Sequence, residues 1–169
     1  MGRKSCSYYG AGILFAFKKT DGDCEVCLFK RAVRPYKGYW SVLGGRSNPG
    51  ETFRETAKRE ACEEGFKGKD FADALKCYLP KSFNMEIVPE EICYNNLFFK
   101  WRNYLVELKE QPPIGVFTLN YGNYLAQWFP VNALPVNVFP GIPKTIKKNS
   151  SWFDPLSDCS SVQRFINSK

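Results

Sequence analysis

The sequence predicts an α/β fold in which a mixed β-sheet is covered by helices on both faces. Two observations carry this. Segments rich in β-forming residues stand both before and after one amphipathic helical segment, and a second helix start is signalled near the C-terminus. A chain of 169 residues, 44% hydrophobic and 16% aromatic, is long enough to bury one sizeable core, so residues 1–169 read as a single domain.

The elements follow in order. Tyr8 to Phe17 alternates loosely and favours a strand, Lys18 to Asp23 is a turn, and Cys24 to Arg31 is a second strand of period two. Arg31 to Gly38 is a basic loop, and Tyr39 to Leu43 is a short strand leading to Gly44 and Gly45. After the first helix, Leu75 to Leu79 and Leu97 to Leu108 read as strands. The polar loop between them, Pro80 to Cys93, carries Glu86, Glu90 and Glu91. Leu125 to Val131 is a further strand, followed by an irregular stretch punctuated by Pro135, Pro140 and Pro143. A C-terminal helical segment spans about 142–167. Its helix opens at Asp154-Pro155, an N-cap with proline at the first helical position, and runs to about Ile166.

The first helix is the informative one. Pro49-Gly50 supplies a turn, Thr52 can cap, and Glu55 completes a capping box, so the helix runs from about Phe53 to Glu64 and stops at Gly65. At ~100° per residue, Phe53, Ala57 and Ala61 form an apolar stripe. Glu60 and Glu64 fall on that stripe, with Glu63 beside them. Carboxylates turned toward a core are unfavourable unless something positive satisfies them, and three together repel one another. A hard divalent cation bound through oxygen, Mg²⁺ or Mn²⁺, is the natural partner. Arg59, four residues before Glu63, can pair with it at the site or as an ordinary surface pair. Glu51 is equally a site residue or an acid complementing the helix dipole.

Gly45, five residues, Glu51, seven residues, then Arg59-Glu60-Ala61-Cys62-Glu63-Glu64 resembles the signature of the Nudix hydrolases. Gly38-Tyr39-Trp40-Ser41-Val42-Leu43-Gly44 resembles the usual lead-in, and Trp128 to Pro135 resembles the family's tryptophan strand. The resemblance covers roughly residues 8–135, which would be the domain core. It implies an α/β/α sandwich and metal-dependent cleavage of a pyrophosphate link in a nucleoside diphosphate joined to another group. It implies Glu60, Glu63, Glu64 and the Gly44 carbonyl as metal ligands, Glu51 and Gly45 in support, and Arg59 holding the cluster. The base would be Glu60 or Glu63, or a loop acid such as Glu90 or Glu91. Three departures stand out. Gly65 follows Glu64 directly, with Phe66 next; Leu43 stands where proline is common; and Asn120 to Gln127, ahead of Trp128, contains no acid.

Net charge is +7, which suits polyanionic substrates and also admits RNA, with 5′-end hydrolysis as a second activity. A catalytically weak nucleotide-binding regulator is the reading from a different class. Arg31, Arg34 and Trp40 are candidates to grip phosphate or a base, although Trp40 fits core packing as well. The chain has no histidine, which excludes Ser-His and Cys-His nucleophiles. Seven cysteines without a second pair beside Cys24 and Cys27 favour reduced thiols over zinc, and with no signal peptide at the start they point to the cytoplasm. No apolar run is long enough for a membrane span. A homodimer is left open.

Overall fold

The computed structural model describes residues 8–81, 83, 99–120 and 122–153. The predicted helix from Asp154 onward and the loop acids Glu86, Glu90 and Glu91 lie outside the described residues.

Among the described residues six strands form one mixed sheet: β1 (Tyr8–Lys18), β2 (Cys24–Arg31), β3 (Trp40–Ser41), β4 (Leu43–Arg46), β5 (Phe99–Leu108) and β6 (Asn123–Pro130). β1 is the hub. Along one edge it pairs in parallel with β5 over its length, from Tyr8 opposite Phe99 to Phe17 opposite Leu108. Its other edge is shared, with Gly10–Ile13 facing β4 and Phe15–Lys18 facing β2, both antiparallel. Because β1 and β2 separate beyond Phe15, the interrupted strand β3–β4 fills the fork between them. β3 adds to β2 at Phe29 and Lys30, and β6 covers the far edge of β2. The predicted strand Tyr39–Leu43 is therefore longer than read, because it carries the glycine pair inside the sheet.

Strand alternation assigns side chains to two layers. Ala11, Ile13 and Phe15 of β1, with Cys27 and Phe29 of β2, face helix α1 (Phe53–Gly65) and the short helix α2 (Phe71–Ala74). Leu14 and Ala16, with Val26 and Leu28, face α3 (Gly141–Lys148) and α4 (Ser150–Phe153) through Ile142 and Phe153. This is the expected α/β/α arrangement. It also separates Cys24 from Cys27, whose thiols are buried in opposite layers.

Two expectations need correction. Residues 75–79 are not a strand. Asp70 caps α2, its carboxylate accepting from the N–H groups of Ala72 and Asp73, and the chain then turns, Leu79 N–H donating to the Leu75 carbonyl at 3.0 Å. Local capping outweighed the apolar run. Of the prolines read as punctuating an irregular stretch, Pro143 lies instead inside a helix, which begins close to where the helical segment 142–167 was expected to start. α3 starts after Pro140 and holds Pro143 in its first turn, where no intrahelical N–H is needed. Its Ile142 and Thr145 are buried, so packing on the sheet makes the helix.

α1 begins as predicted. Thr52 Oγ1 accepts from Glu55 N–H at 3.2 Å while Thr52 N–H donates to Glu55 Oε2 at 2.8 Å. Its end is different, because Gly65 is the last helical residue rather than the stop. The turn-off is at Lys67 (φ 50°) and Gly68 (φ 79°), whose N–H donates to the Cys62 carbonyl at 2.7 Å. Gly65 is required for another reason: a Cβ there would run into Leu43 Cδ1. Two departures from the family signature therefore complement each other, Leu43 filling the space that Gly65 leaves. Phe66 is buried against Phe15, Phe71 and Phe117, taking the place of an apolar plug.

Candidate active site

Arg59 organises the outer half of the site. Its Nε and Nη2 donate to the two oxygens of Glu51 at 2.8 and 3.0 Å, a bidentate fork. Nη2 also donates to the Arg46 carbonyl at 2.8 Å, and Nη1 donates to Glu60 Oε1 at 2.8 Å and Glu63 Oε2 at 3.3 Å. Glu51 further accepts from Asn48 N–H and the Thr56 hydroxyl. The Arg59 bonds, helped by these, hold its carboxyl well down, to about 2. Glu51 is thus a structural acid that ties the loop to the helix. The pairing of Arg59 with Glu63 exists, but it is the longest of these contacts, and Glu63 is more than half exposed.

The inner half contains Glu60 and Glu64. Gly45 faces Glu60 so closely that a Cβ would run into its carboxyl, and a Cβ on Gly122 would lie 2.6 Å from Glu64 Oε1. Glu64 Oε2 accepts from Gly44 N–H at 3.1 Å and Asn123 Nδ2 at 3.2 Å. Gly44 N–H is available because Ser47 N–H donates to the Tyr9 carbonyl, which sets the antiparallel phase and turns both polar groups of Gly44 away from β1. Burial pushes the Glu64 carboxyl up to about 7, with the charge of Glu60 adding to the effect and the Gly44 bond opposing it. Burial likewise raises Glu60, against the pull of Arg59.

The structure adds residues that sequence reasoning missed. Tyr8 is coupled electrostatically to Glu60 and Glu64, and the Arg46 guanidinium lies 5.6 Å from its ring. Gly122 and Asn123 come from the acid-free segment ahead of Trp128, and Asn120 N–H also donates to the Glu64 carbonyl at 2.9 Å. That segment was singled out for the acid it lacks, whereas its contribution is an amide. Arg31 is near enough to lower the pKa of Glu64, and its Nε donates to the Pro35 carbonyl at 3.2 Å. Arg34 is exposed in the same loop. Trp40 is buried, its ring 4.8 Å from that of Phe129, so it serves the core and offers no face to a base.

The donor set suits a hard divalent cation. Three carboxylates, those of Glu51, Glu60 and Glu63, share the Arg59 guanidinium, which is chiefly engaged by Glu51. Glu64 is held by Gly44 and Asn123 instead, and every one of these carboxylate donors is oxygen. Asn123 Oδ1, buried beside Glu64, has no hydrogen-bond partner. Among the described residues no three acids converge on one point, because Arg59 draws Glu60 and Glu63 toward itself while Glu64 turns to Gly44. Also among the described residues, no helix is long and apolar enough to cross a membrane.

Comparison with known proteins agrees with this geometry. A family model described as the NUDIX domain matches residues 9–150. A search of curated proteins gives no match. Among solved structures the chain is similar to an Ap4A hydrolase from C. elegans, at 19% identity and a TM-score of 0.60, over 85% of this chain and 96% of that one. It is similar to RenU, a Nudix hydrolase from M. smegmatis, at 17% identity and a TM-score of 0.59, over 85% and 83% of the two chains. A third likeness is to a bifunctional NMN adenylyltransferase/ADP ribose pyrophosphatase from Francisella tularensis complexed with AMP and an Mn ion. There the identity is 13% and the TM-score 0.57, over 88% of this chain and 43% of that one. At these identities the structures establish the fold, and the family model, spanning most of the chain, establishes the family. The chain belongs to the Nudix family of pyrophosphohydrolases.

Proposed function

We propose that the protein hydrolyses, with Mg²⁺ or Mn²⁺, the pyrophosphate bond of a nucleoside diphosphate joined to another group. One observation carries this reading: Glu64 and Glu60 are held together in a partly buried site against the glycine pair of β4, with Arg59 on Glu60 and polar, uncharged donors on Glu64. The similarity to an Ap4A hydrolase, and to an ADP ribose pyrophosphatase complexed with AMP and an Mn ion, supports the substrate class and the metal.

Glu63, Glu64 and the Gly44 carbonyl would hold the cation, with Asn123 Oδ1 an additional neutral oxygen. A bound divalent ion supplies neutralisation of the phosphate oxygens and acidifies water. The chain's own residues do the positioning. Arg59 anchors Glu60 and the loop; Gly44 N–H and Asn123 fix Glu64; Gly45 leaves room for the Glu60 carboxyl. Glu60 is our choice of base, because burial moves its pKa toward the working pH without placing it fully in the core. The water oxygen bonds to phosphorus, its proton goes to Glu60, and the bridging P–O bond breaks, releasing two phosphorylated products.

The test is a panel of nucleoside diphosphate derivatives with Mg²⁺ or Mn²⁺, run beside Glu64→Gln. The expected result is turnover of at least one member and a loss of roughly 100-fold or more in the variant, the scale of removing one key electrostatic group. No turnover on any member, or an unimpaired variant, would end the hydrolase reading.

A further inference from the structure

Residues 26–50 and 111–153 contain no Asp or Glu, and between them they hold eight Lys and Arg. The net charge of +7 therefore resides in these two segments, and the rest of the chain is close to neutral. The fold joins them where β2 ends and β6 begins. β6 pairs with β2, Trp40 N–H donates to the Asn137 carbonyl at 2.7 Å, and Phe139 N–H donates to the Trp40 carbonyl at 2.8 Å.

Rings and cations line this seam. The Tyr36 ring meets those of Phe139 and Tyr39 in T-shaped contacts at 5.2 and 5.5 Å. Lys30 Nζ lies 5.5 Å from the Trp40 ring centre and 6.0 Å from that of Tyr124. Tyr36 and Tyr124 are each about half exposed, and Arg34 and Lys37, flanking Tyr36 in the loop, are exposed as well. Tyr36 also adopts φ 62°, in the left-handed region that a residue with a Cβ disfavours. Hydrogen bonds hold the turn: Gly38 N–H donates to the Arg31 carbonyl at 2.9 Å, and Tyr39 N–H to the Tyr36 carbonyl at 3.0 Å. Core packing does not explain a strained backbone that leaves half of an aromatic ring in water.

We infer that this face binds single-stranded nucleic acid, with bases stacking on Tyr36 and Tyr124 and phosphates held by Lys30, Arg34 and Lys37. The chemistry favours that partner over a compact anion, because exposed rings offer faces to unpaired bases and spaced cations follow a phosphate chain. The inference goes beyond the hydrolase reading and does not depend on it, since these rings and cations are distinct from the carboxylates assigned to hydrolysis.

The experiment is fluorescence anisotropy of a labelled oligouridine of about 12 nucleotides, in EDTA so that no hydrolysis intervenes. Wild type should bind with a Kd of ~10⁻⁴–10⁻⁶ M at physiological salt, the range of sequence-independent binding. Glycine adopts φ 62° freely, so Tyr36→Gly removes the ring while easing the backbone. Combined with Tyr124→Ser it should weaken binding at least ~fivefold, the lower end for one lost stack. Arg34→Gln with Lys37→Gln should weaken it at least ~tenfold and lower the slope of log K against log salt by ~1.4, as for two lost phosphate contacts. Lys58→Gln with Lys69→Gln removes two exposed charges outside the basic segments and should leave binding within about twofold of wild type. Circular dichroism checks that each variant folds. No binding up to ~10⁻⁴ M oligouridine overturns the proposal, and capture by phosphatidylserine vesicles in its place would assign the face to a membrane. Indifference to the two tyrosines, an equal loss from the Lys58 and Lys69 pair, or a duplex bound as tightly as the single strand also overturns it, leaving charge alone. Glu64→Gln should bind the strand as wild type does. Turnover of nucleoside diphosphate derivatives without strand binding sinks this inference alone, and the reverse sinks the hydrolase reading alone.

Discussion

Glu51 and Glu64 flank the same helix and differ in almost every respect that matters to a carboxylate. Glu51 accepts a bidentate fork from Arg59, a backbone N–H and a hydroxyl, and its pKa is held down to about 2. Glu64 is partly buried with one backbone N–H and one amide and, among the described residues, no direct cationic partner, and its pKa is pushed up to about 7. The first carboxylate stabilises the fold. The second is kept in an environment that disfavours its charge, and a bound cation would remove that penalty. On the function proposed above, stability and catalysis would be divided between two acids thirteen positions apart.

The largest effect that tests this contrast is on turnover. Glu64→Gln should abolish most hydrolysis, as above, yet leave the melting temperature in EDTA unchanged or higher, because a buried carboxylate becomes neutral. A variant that loses stability in EDTA would mean that Glu64 is structural like Glu51.

The pH dependence separates the two acids by sign. Glu64 has a folded pKa raised above its usual 4.5, so its contribution to apo stability is present below pH 4.5 and is lost as pH rises through about 7, on the order of 3 kcal/mol in all. Glu51 has a lowered folded pKa, so its contribution is present above pH 4.5 and is lost as pH falls toward 2. Thermal melts with and without Mg²⁺ should therefore show a cation-induced gain that is small at pH 5 and larger at pH 8. An equal gain at both pH values contradicts the assignment of Glu64.

Glu51→Gln should lower stability by about 1–3 kcal/mol at pH 7 whether or not metal is present, since it leaves Arg59 without its main partner. Chemical denaturation would show this, and a metal-dependent loss would blur the division of labour. The smallest effect concerns the end of the helix. Gly65→Ala should cost about 1–2 kcal/mol by collision with Leu43, and Leu43→Ala in the same chain should cost less than the sum of the two single changes. Strict additivity would show that the two positions do not compensate.

Much of this was legible in the sequence because it is local. The capping box at Thr52 and Glu55, the period-two strands and the phase of Glu60 and Glu64 on the apolar stripe are properties of residues a few positions apart. The misreadings had two sources. In α2 and α3 the local signals were present, the Asp70 cap and a proline in a first turn, but apolar runs and proline count were given more weight. Other facts needed the third dimension. That Arg59 prefers Glu51 to Glu63, that Trp40 belongs to the core, and that Tyr8 feels the charge of the glutamates all depend on which strands meet.

The sequence alone determined the α/β class and the helix that carries the acids, and it raised the expectation of a cation there, because 3.6-residue periodicity fixes which side chains share a face. The tertiary structure decided how the acids differ. Burial against β4, the approach of Gly122 and Asn123, and the reach of Arg59 back to Glu51 set each carboxylate's surroundings. A pKa responds to charge and solvent within a few ångströms in space, and neither is written in the spacing of residues along the chain.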